Sequence, residues 1–187
     1  EALHYVVKAG KARYIGSSNP AAWQFAKALH AAERHGWTRF VSVQNQYNLV
    51  YREDEREMNK LCLDEGVGLI PWSPLARGFL AGNRRRQDWG ETLRAKTDAL
   101  AQSYYYQDDD FRVVERVVEI ARARAVAPTQ IALAWLLRQP GVSAPIVGAT
   151  RVEQLDQAVE TLALKLDDAE AKALEEPYRP HEVRSPA

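Results

Sequence analysis

The sequence predicts an α/β fold: four strand-to-helix units in tandem, building a parallel sheet with helical crossovers. Three observations carry that prediction. Short apolar runs of strand length centre near Tyr14, Val43 and Leu69, a spacing of roughly 27 residues, which is the length of a βα unit with short loops. Each run is followed by a segment whose apolar residues recur at helical intervals. Between them, Gly10, Gly36 and Gly66 fall where helices must stop, and Pro20 falls where one starts. Repeated units of this kind are the pattern of a parallel sheet.

The elements follow in order. Residues 1–10 read as helix, with Leu3, Val6 and Val7 on one face. No capping residue opens that helix and residue 1 is Glu, so further sequence upstream is expected. Residues 12–16 are the first strand. Ser17-Ser18-Asn19-Pro20 then turns the chain, with Asn19 as N-cap and Pro20 as the first residue of a helix to His35. The second strand is 40–44, followed by Asn45-Gln46-Tyr47-Asn48 and a charged helix over 53–65. Residues 67–71 are the third strand, which ends at Trp72 because Pro74 has no N–H to give to a ladder. The stretch 83–110 is polar, rich in aromatics and too long for a simple connection, which marks a lid or a mobile insertion. Helices are expected at 111–126, 130–138 and 167–175. A fourth strand at 144–148 leads into a helix at 152–162 with Thr150 as its N-cap, and 177–187 is an irregular tail. The whole reads as one domain over 1–187.

Composition removes several classes of function. The 187 residues carry 25 basic and 25 acidic side chains, which gives neither a nucleic-acid footprint nor a basic membrane surface. No apolar run approaches the roughly 20 residues that span a bilayer. The single cysteine, Cys62, excludes an internal disulfide and sits in an apolar helical pattern, as a buried small hydrophobe does. A cytoplasmic protein fits these features.

The stretch from Gly68 to Gly82 carries the chemistry. After the third strand come a flat aromatic (Trp72), a hydroxyl (Ser73), a proline-fixed turn and Gly78, whose missing Cβ lets a ligand approach the backbone. This suits a large, flat, anionic molecule at the carboxyl end of a parallel strand. The alternative is an ordinary turn with a core tryptophan. Arg84, Arg85, Arg86 and Arg94 are basic groups that could reach phosphate oxygens, although such a cluster in a long loop is usually solvated.

Four motifs, at 10–19 (GKARYIGSSN), 43–49 (VQNQYNL), 71–78 (PWSPLARG) and 145–155 (PIVGATRVEQL), resemble the aldo-keto reductases. The likeness is nearest to the bacterial branch related to the β subunits of voltage-gated potassium channels. It implies the second half, strands five to eight, of a TIM (β/α)8 barrel, and NADP(H) as cofactor. By that resemblance Ser18, Asn19 and Gln44 hold the nicotinamide carboxamide and Trp72 stacks on the ring. Ser73, Leu75 and Gly78 cradle the pyrophosphate. Gly148, Thr150, Arg151 and Gln154 hold the adenosine 2′-phosphate, and Gln157 lies near the adenine. The implied reaction reduces aldehydes or ketones, with a small carbonyl compound as partner and no metal. The family's proton-donating Tyr and its Lys, Asp and His belong to the first half of the barrel and match no residue here, so this chain is the cofactor-binding half. His4 and Tyr5 read as helix-face residues, whereas Tyr104, Tyr105 and Tyr106 are near enough in the insertion to reach a substrate. Two other readings are a nucleotide-binding docking module and an inactive truncated piece. Half a barrel leaves open edges near Tyr14 and Ile146, so self-association is expected unless the other half covers them.

Overall fold

The computed structural model describes residues 1–84, 101 and 104–183. Three short parallel strands, β1 (Gly16–Ser18), β2 (Ser42–Gln44) and β3 (Gly68–Leu69), form a sheet in chain order. Gly16 pairs with Ser42, and Ser42 with Gly68. Helix α1 (Ala2–Lys8) precedes β1, α2 (Ala22–Arg34) crosses to β2, and α3 (Met58–Asp64) crosses to β3. The strands are shorter than their apolar runs, but the hydrogen bonding continues past them: Val41 N–H donates to Ile15 O, Ile70 N–H to Val43 O and Trp72 N–H to Asn45 O. The first strand lies at the far end of its expected span, and Tyr14 is 73% exposed.

The expected fourth strand is not regular. Val142 makes one parallel bridge to Leu69. Beyond it Leu69 O accepts from both Ser143 N–H (2.8 Å) and Ala144 N–H (3.5 Å), and Ile146 N–H donates to Pro71 O. The segment follows β3 in the parallel sense. Two donors share one acceptor, and the next residue is Pro145, which has no N–H, so the ladder is broken where it would otherwise lengthen.

Alternation along the strands separates two faces. Val43 and Leu69 point to the helices, where Phe25, Leu29, Met58, Cys62 and Val67 complete a buried cluster. Burial pushes the Cys62 thiol up to about 11, so it is an inert core group. The opposite face carries Gly16, Ser42 and Gly68 in one row. A Cβ on Gly16 would lie 2.5 Å from Ser42 Oγ, and one on Gly68 would lie 2.5 Å from Ser143 Oγ. A side chain at either position would therefore force the facing serine to move.

A second, larger core joins the 47–51 and 76–80 segments to the helices that follow the insertion. Helices α4 (Asp108–Arg124), α5 (Pro128–Arg138) and α7 (Asp168–Glu175) pack around Trp135, Phe79, Leu80, Val117 and Leu174. Helix α4 starts three residues earlier than its apolar pattern suggests, because three aspartates, Asp108 to Asp110, occupy its first turn, where the helix dipole favours them. The rest of the 83–110 insertion falls largely outside the described residues. The tail is irregular from 177 to 183, as expected, yet it is anchored. Glu53 Oε1 accepts from Tyr178 OH (2.6 Å) and His181 N–H (2.8 Å), and His181 Nε2 meets Asp110 Oδ1 at 2.9 Å.

Helix α6 (Val152–Glu160) and α1 bury no residue. Val152, Leu155 and Val159 form an exposed apolar stripe on α6, and Leu3, Val6 and Tyr14 are exposed beside β1.

Candidate functional site

The carboxyl ends of the three strands bring together the first group of expected ligand residues. Ser18 pairs with Gln44 across the ladder. Asn19 N–H donates to Gln44 O (3.0 Å), and Gln46 bridges Trp72 in the parallel sense. Trp72 is half-buried, and its indole Nε1–H donates to Asn19 Oδ1 at 2.9 Å. That bond explains why Asn19 does not cap α2. Its backbone turns left-handed (φ 47°) and its side-chain oxygen is committed to the indole. The helix starts at Ala22, with Gln24 Oε1 accepting from Ala21 N–H instead.

The turn after Trp72 is held in a conformation that L-residues rarely adopt. Ser73 (φ 51°), Ala76 (47°), Arg77 (57°) and Gly78 (88°) all lie on the left-handed side, at about 1–2 kcal/mol for each non-glycine residue. Five bonds hold it: Ala76 N–H to Ser73 O, Gly78 N–H and Leu80 N–H to Leu75 O, Asn48 Nδ2–H to Ser73 O, and Arg84 Nη2–H to Arg77 O. The Gly78 N–H is thus engaged within the turn. Beside it, 3.4 Å from where a Gly78 Cβ would stand, is Arg84 Nη2.

Arg84 departs from the expectation of a solvated loop arginine: its side chain is buried, at 6% exposure. Its Nη1 donates to Tyr106 OH and its guanidinium lies over the Tyr106 ring, while among the described residues its Nε has no partner. Among those residues it also faces no carboxylate. Nothing in the sequence separates it from Arg85 and Arg86. Arg84 reaches its place because Gly82, packed against Val118, turns the chain back over the 76–78 turn.

The third group lies on the last segment. A Cβ added to Gly148 would meet no atom within 4 Å, so packing does not demand glycine there. Thr150 is not the cap of α6. Its N–H and its hydroxyl both donate to Gln154 Oε1 (2.9 and 3.2 Å), and Arg151 stands at the cap position, exposed. Gln157 accepts through its carbonyl from Gln130 Nε2–H and Thr161 OH, with its side chain exposed. Ile146, bonded to Pro71, brings this segment alongside the end of β3, but among the described residues no hydrogen bond joins it to Trp72.

A cleft of about 450 Å³ opens beside the indole, between Asn19–Ala22, the 46–58 segment, Tyr104 and Val183. Asp54 lines it. Burial raises the pKa of that carboxyl, and Asn45 Nδ2–H, donating at 2.8 Å, opposes the rise in part. The three tyrosines of the insertion have different positions: Tyr104 lines the cleft, Tyr105 OH accepts from Gln46 Nε2–H (2.8 Å) in the interior, and Tyr106 meets Arg84. Tyr51, Asp54 and Val183 carried no signal in the sequence, because only the fold brings them to Trp72.

A model of the aldo/keto reductase family matches residues 1–179. The chain belongs to that family. It is 44% identical over 187 residues to a versiconal hemiacetal acetate reductase of Aspergillus parasiticus, covering 97% of this chain and 53% of that protein. An aldo-keto reductase of Metarhizium robertsii is 44% identical over 186 residues (98% and 49%), and one of Alternaria alternata 43% over 179 residues (96% and 47%). This aldo/keto reductase chain spans about half the length of the relatives it matches. Within it, His4 is committed to Thr38, whose N–H donates to His4 Nδ1 at 3.1 Å, and Tyr5 is 60% exposed on α1. No described helix is long and apolar enough to cross a membrane.

Proposed function

We propose that this chain supplies strands five to eight of a (β/α)8 barrel and holds NADP(H) for the reduction of aldehydes or ketones, in the cytoplasm. The proton-donating Tyr with its Lys, Asp and His would be provided by the other half of the barrel. The observation that carries this reading is the indole of Trp72, fixed by Asn19 at the carboxyl ends of parallel strands with Ser18 and Gln44 beside it. Such a ring offers a flat π surface to a nicotinamide. Ser18, Gln44 and the Asn19 amide nitrogen have the donors and acceptor that a carboxamide needs.

The residues also fit the anionic end of the cofactor. Arg84 is a buried cation with no counter-ion among the described residues, beside the Ser73–Leu75–Gly78 turn, and a phosphate would supply the missing charge. Gly148, Thr150, Arg151, Gln154 and Gln157 would take the 2′-phosphate and adenine. When bound, the dinucleotide supplies hydride. The chain's own part is to orient the ring, neutralise the phosphates and wall the cleft. The exposed faces of α1 and α6 are then seams to the rest of the barrel, and in a chain without it they favour self-association. The second reading, a nucleotide-binding docking module, is favoured if the chain binds NADPH and turns over no carbonyl compound.

Titrating tryptophan fluorescence with NADPH tests the proposal. Saturable quenching is expected, weakened by about tenfold in Trp72→Ala, since a stacked aromatic pair contributes ~1 kcal/mol or more. Affinity unchanged in that variant removes Trp72 from the site.

A further inference from the structure

The cleft beside Trp72 combines apolar walls with charged groups. Its apolar and aromatic walls are Ala21, Ala22, Met58, Tyr51, Tyr104 and the indole itself. The volume, about 450 Å³, falls within the ~300–1,000 Å³ of small-molecule sites. Four charged groups line it: Glu53, Asp54, Arg56 and Glu57. Two of them cancel, because Arg56 Nε–H donates to Glu53 Oε2 at 2.6 Å. Glu53 is fully committed, since its other oxygen accepts from Tyr178 OH and His181 N–H.

Asp54 and Glu57 are left. The partner of Asp54 is the neutral amide of Asn45 (2.8 Å), and Glu57 has none among the described residues. No described cation besides Arg56 lines the cleft. The cleft therefore carries two uncompensated carboxylates, Glu57 exposed at its surface and Asp54 half-buried, where like charges repel more strongly than they do in water.

We propose that this cleft admits uncharged aromatic carbonyl compounds and rejects those carrying a carboxylate, with Asp54 and Glu57 as the rejecting groups. The inference rests on the reading that the carbonyl compound enters beside Trp72, and it adds the substrate class. A ring fits between Tyr51, Tyr104 and the indole. A carboxylate on that ring would meet negative charge with no cation to pair with, a repulsive element of the kind that sets specificity.

The test uses the 187-residue chain and two near-isosteric probes, 4-formylbenzamide and 4-formylbenzoate, with binding followed by ligand-observed NMR. The amide is expected to bind at least about tenfold more tightly at low salt. The double variant Asp54→Asn/Glu57→Gln should narrow that preference to about threefold or less, as should high salt. Glu57→Gln alone, at an exposed side chain, should narrow it part of the way and guards against misfolding of the Asp54 variant. Equal affinity for both probes, binding of neither, or a preference that survives the double substitution overturns the proposal. The NADPH titration on the same samples separates the two readings: charge selection without NADPH binding removes the cofactor reading alone, and NADPH binding without charge selection removes this one alone.

Discussion

Replacing Arg84 by Met should leave the empty chain about as stable as before while removing most of its affinity for NADPH. The guanidinium makes two hydrogen bonds, to Arg77 O and to Tyr106 OH, and bonds involving a charged group contribute roughly 1.5–3 kcal/mol each. Against them stands a cation that is 6% exposed, has no described carboxylate beside it and has an unpartnered Nε. Burying an ion in that state costs several kcal/mol. The two terms are of similar size, so the net change in stability without ligand is expected within about 1 kcal/mol of zero. With ligand the balance shifts. A phosphate at about 4 Å in a partly screened site gains roughly 4 kcal/mol of attraction, of which some is lost to desolvation. Loss of 2–3 kcal/mol corresponds to NADPH binding about 30- to 150-fold weaker. Thermal unfolding with and without saturating NADPH reads both quantities. Wild type at about a hundred times its Kd gains ~2.7 kcal/mol, some 5–10 °C for a chain of this size, and Arg84→Met should gain little. A variant that loses 3 kcal/mol when empty yet binds NADPH like wild type would show that Arg84 is a structural clamp on the turn, and the phosphate argument would be wrong.

Two further outcomes follow from the packing. Gly68→Ala should destabilise by about 1–3 kcal/mol, because the new methyl would lie 2.5 Å from Ser143 Oγ. Adding Ser143→Gly should recover much of that in chemical denaturation, and no recovery would point to strain in the backbone instead. Glu53 predicts an acid-sensitive tail. Burial raises its pKa, but the bonds from Tyr178, His181 N–H and Arg56 together outweigh that and hold it below the usual carboxylate range. A depressed carboxylate stabilises the fold above its unfolded pKa, near 4.3, and that stability is lost as pH falls through the folded value. Protection of the amides in residues 178–183, relative to their intrinsic exchange at the same pH, should therefore fall below about pH 4.5, and in Glu53→Gln it should be low already at neutral pH. Exchange in that segment that ignores both changes would mean that Glu53 does not hold the tail.

How much of this was legible in the sequence depends on the range of the interaction that decides each feature. The βα repeat is readable from apolar spacing because Val43 and Leu69 alternate with small residues within a few positions of the chain, and burial of one sheet face is a local demand. The strand ends shift for reasons that are not local: β1 is fixed by where β2 offers partners, not by its own apolar run. Asn19 is the clearest case. A Ser-Ser-Asn-Pro run before a helix has the composition of a cap, and only the arrival of an indole 53 positions later in the chain gives its carbonyl oxygen another donor. The same holds for the irregular segment at 144–148, where apolar composition is outweighed by one missing N–H at Pro145. Arg84 shows the limit most sharply. Three consecutive arginines are chemically identical as sequence, and the burial of Arg84 over the left-handed turn depends on the path of the chain at Gly82 and on Tyr106. The site residues that short-range chemistry can mark, an aromatic and a proline at a strand end, are visible in the sequence. Those marked only by convergence of distant segments, Tyr51, Asp54 and Val183, are not, and with them the walls of the cleft beside Trp72 stay hidden until the chain is folded.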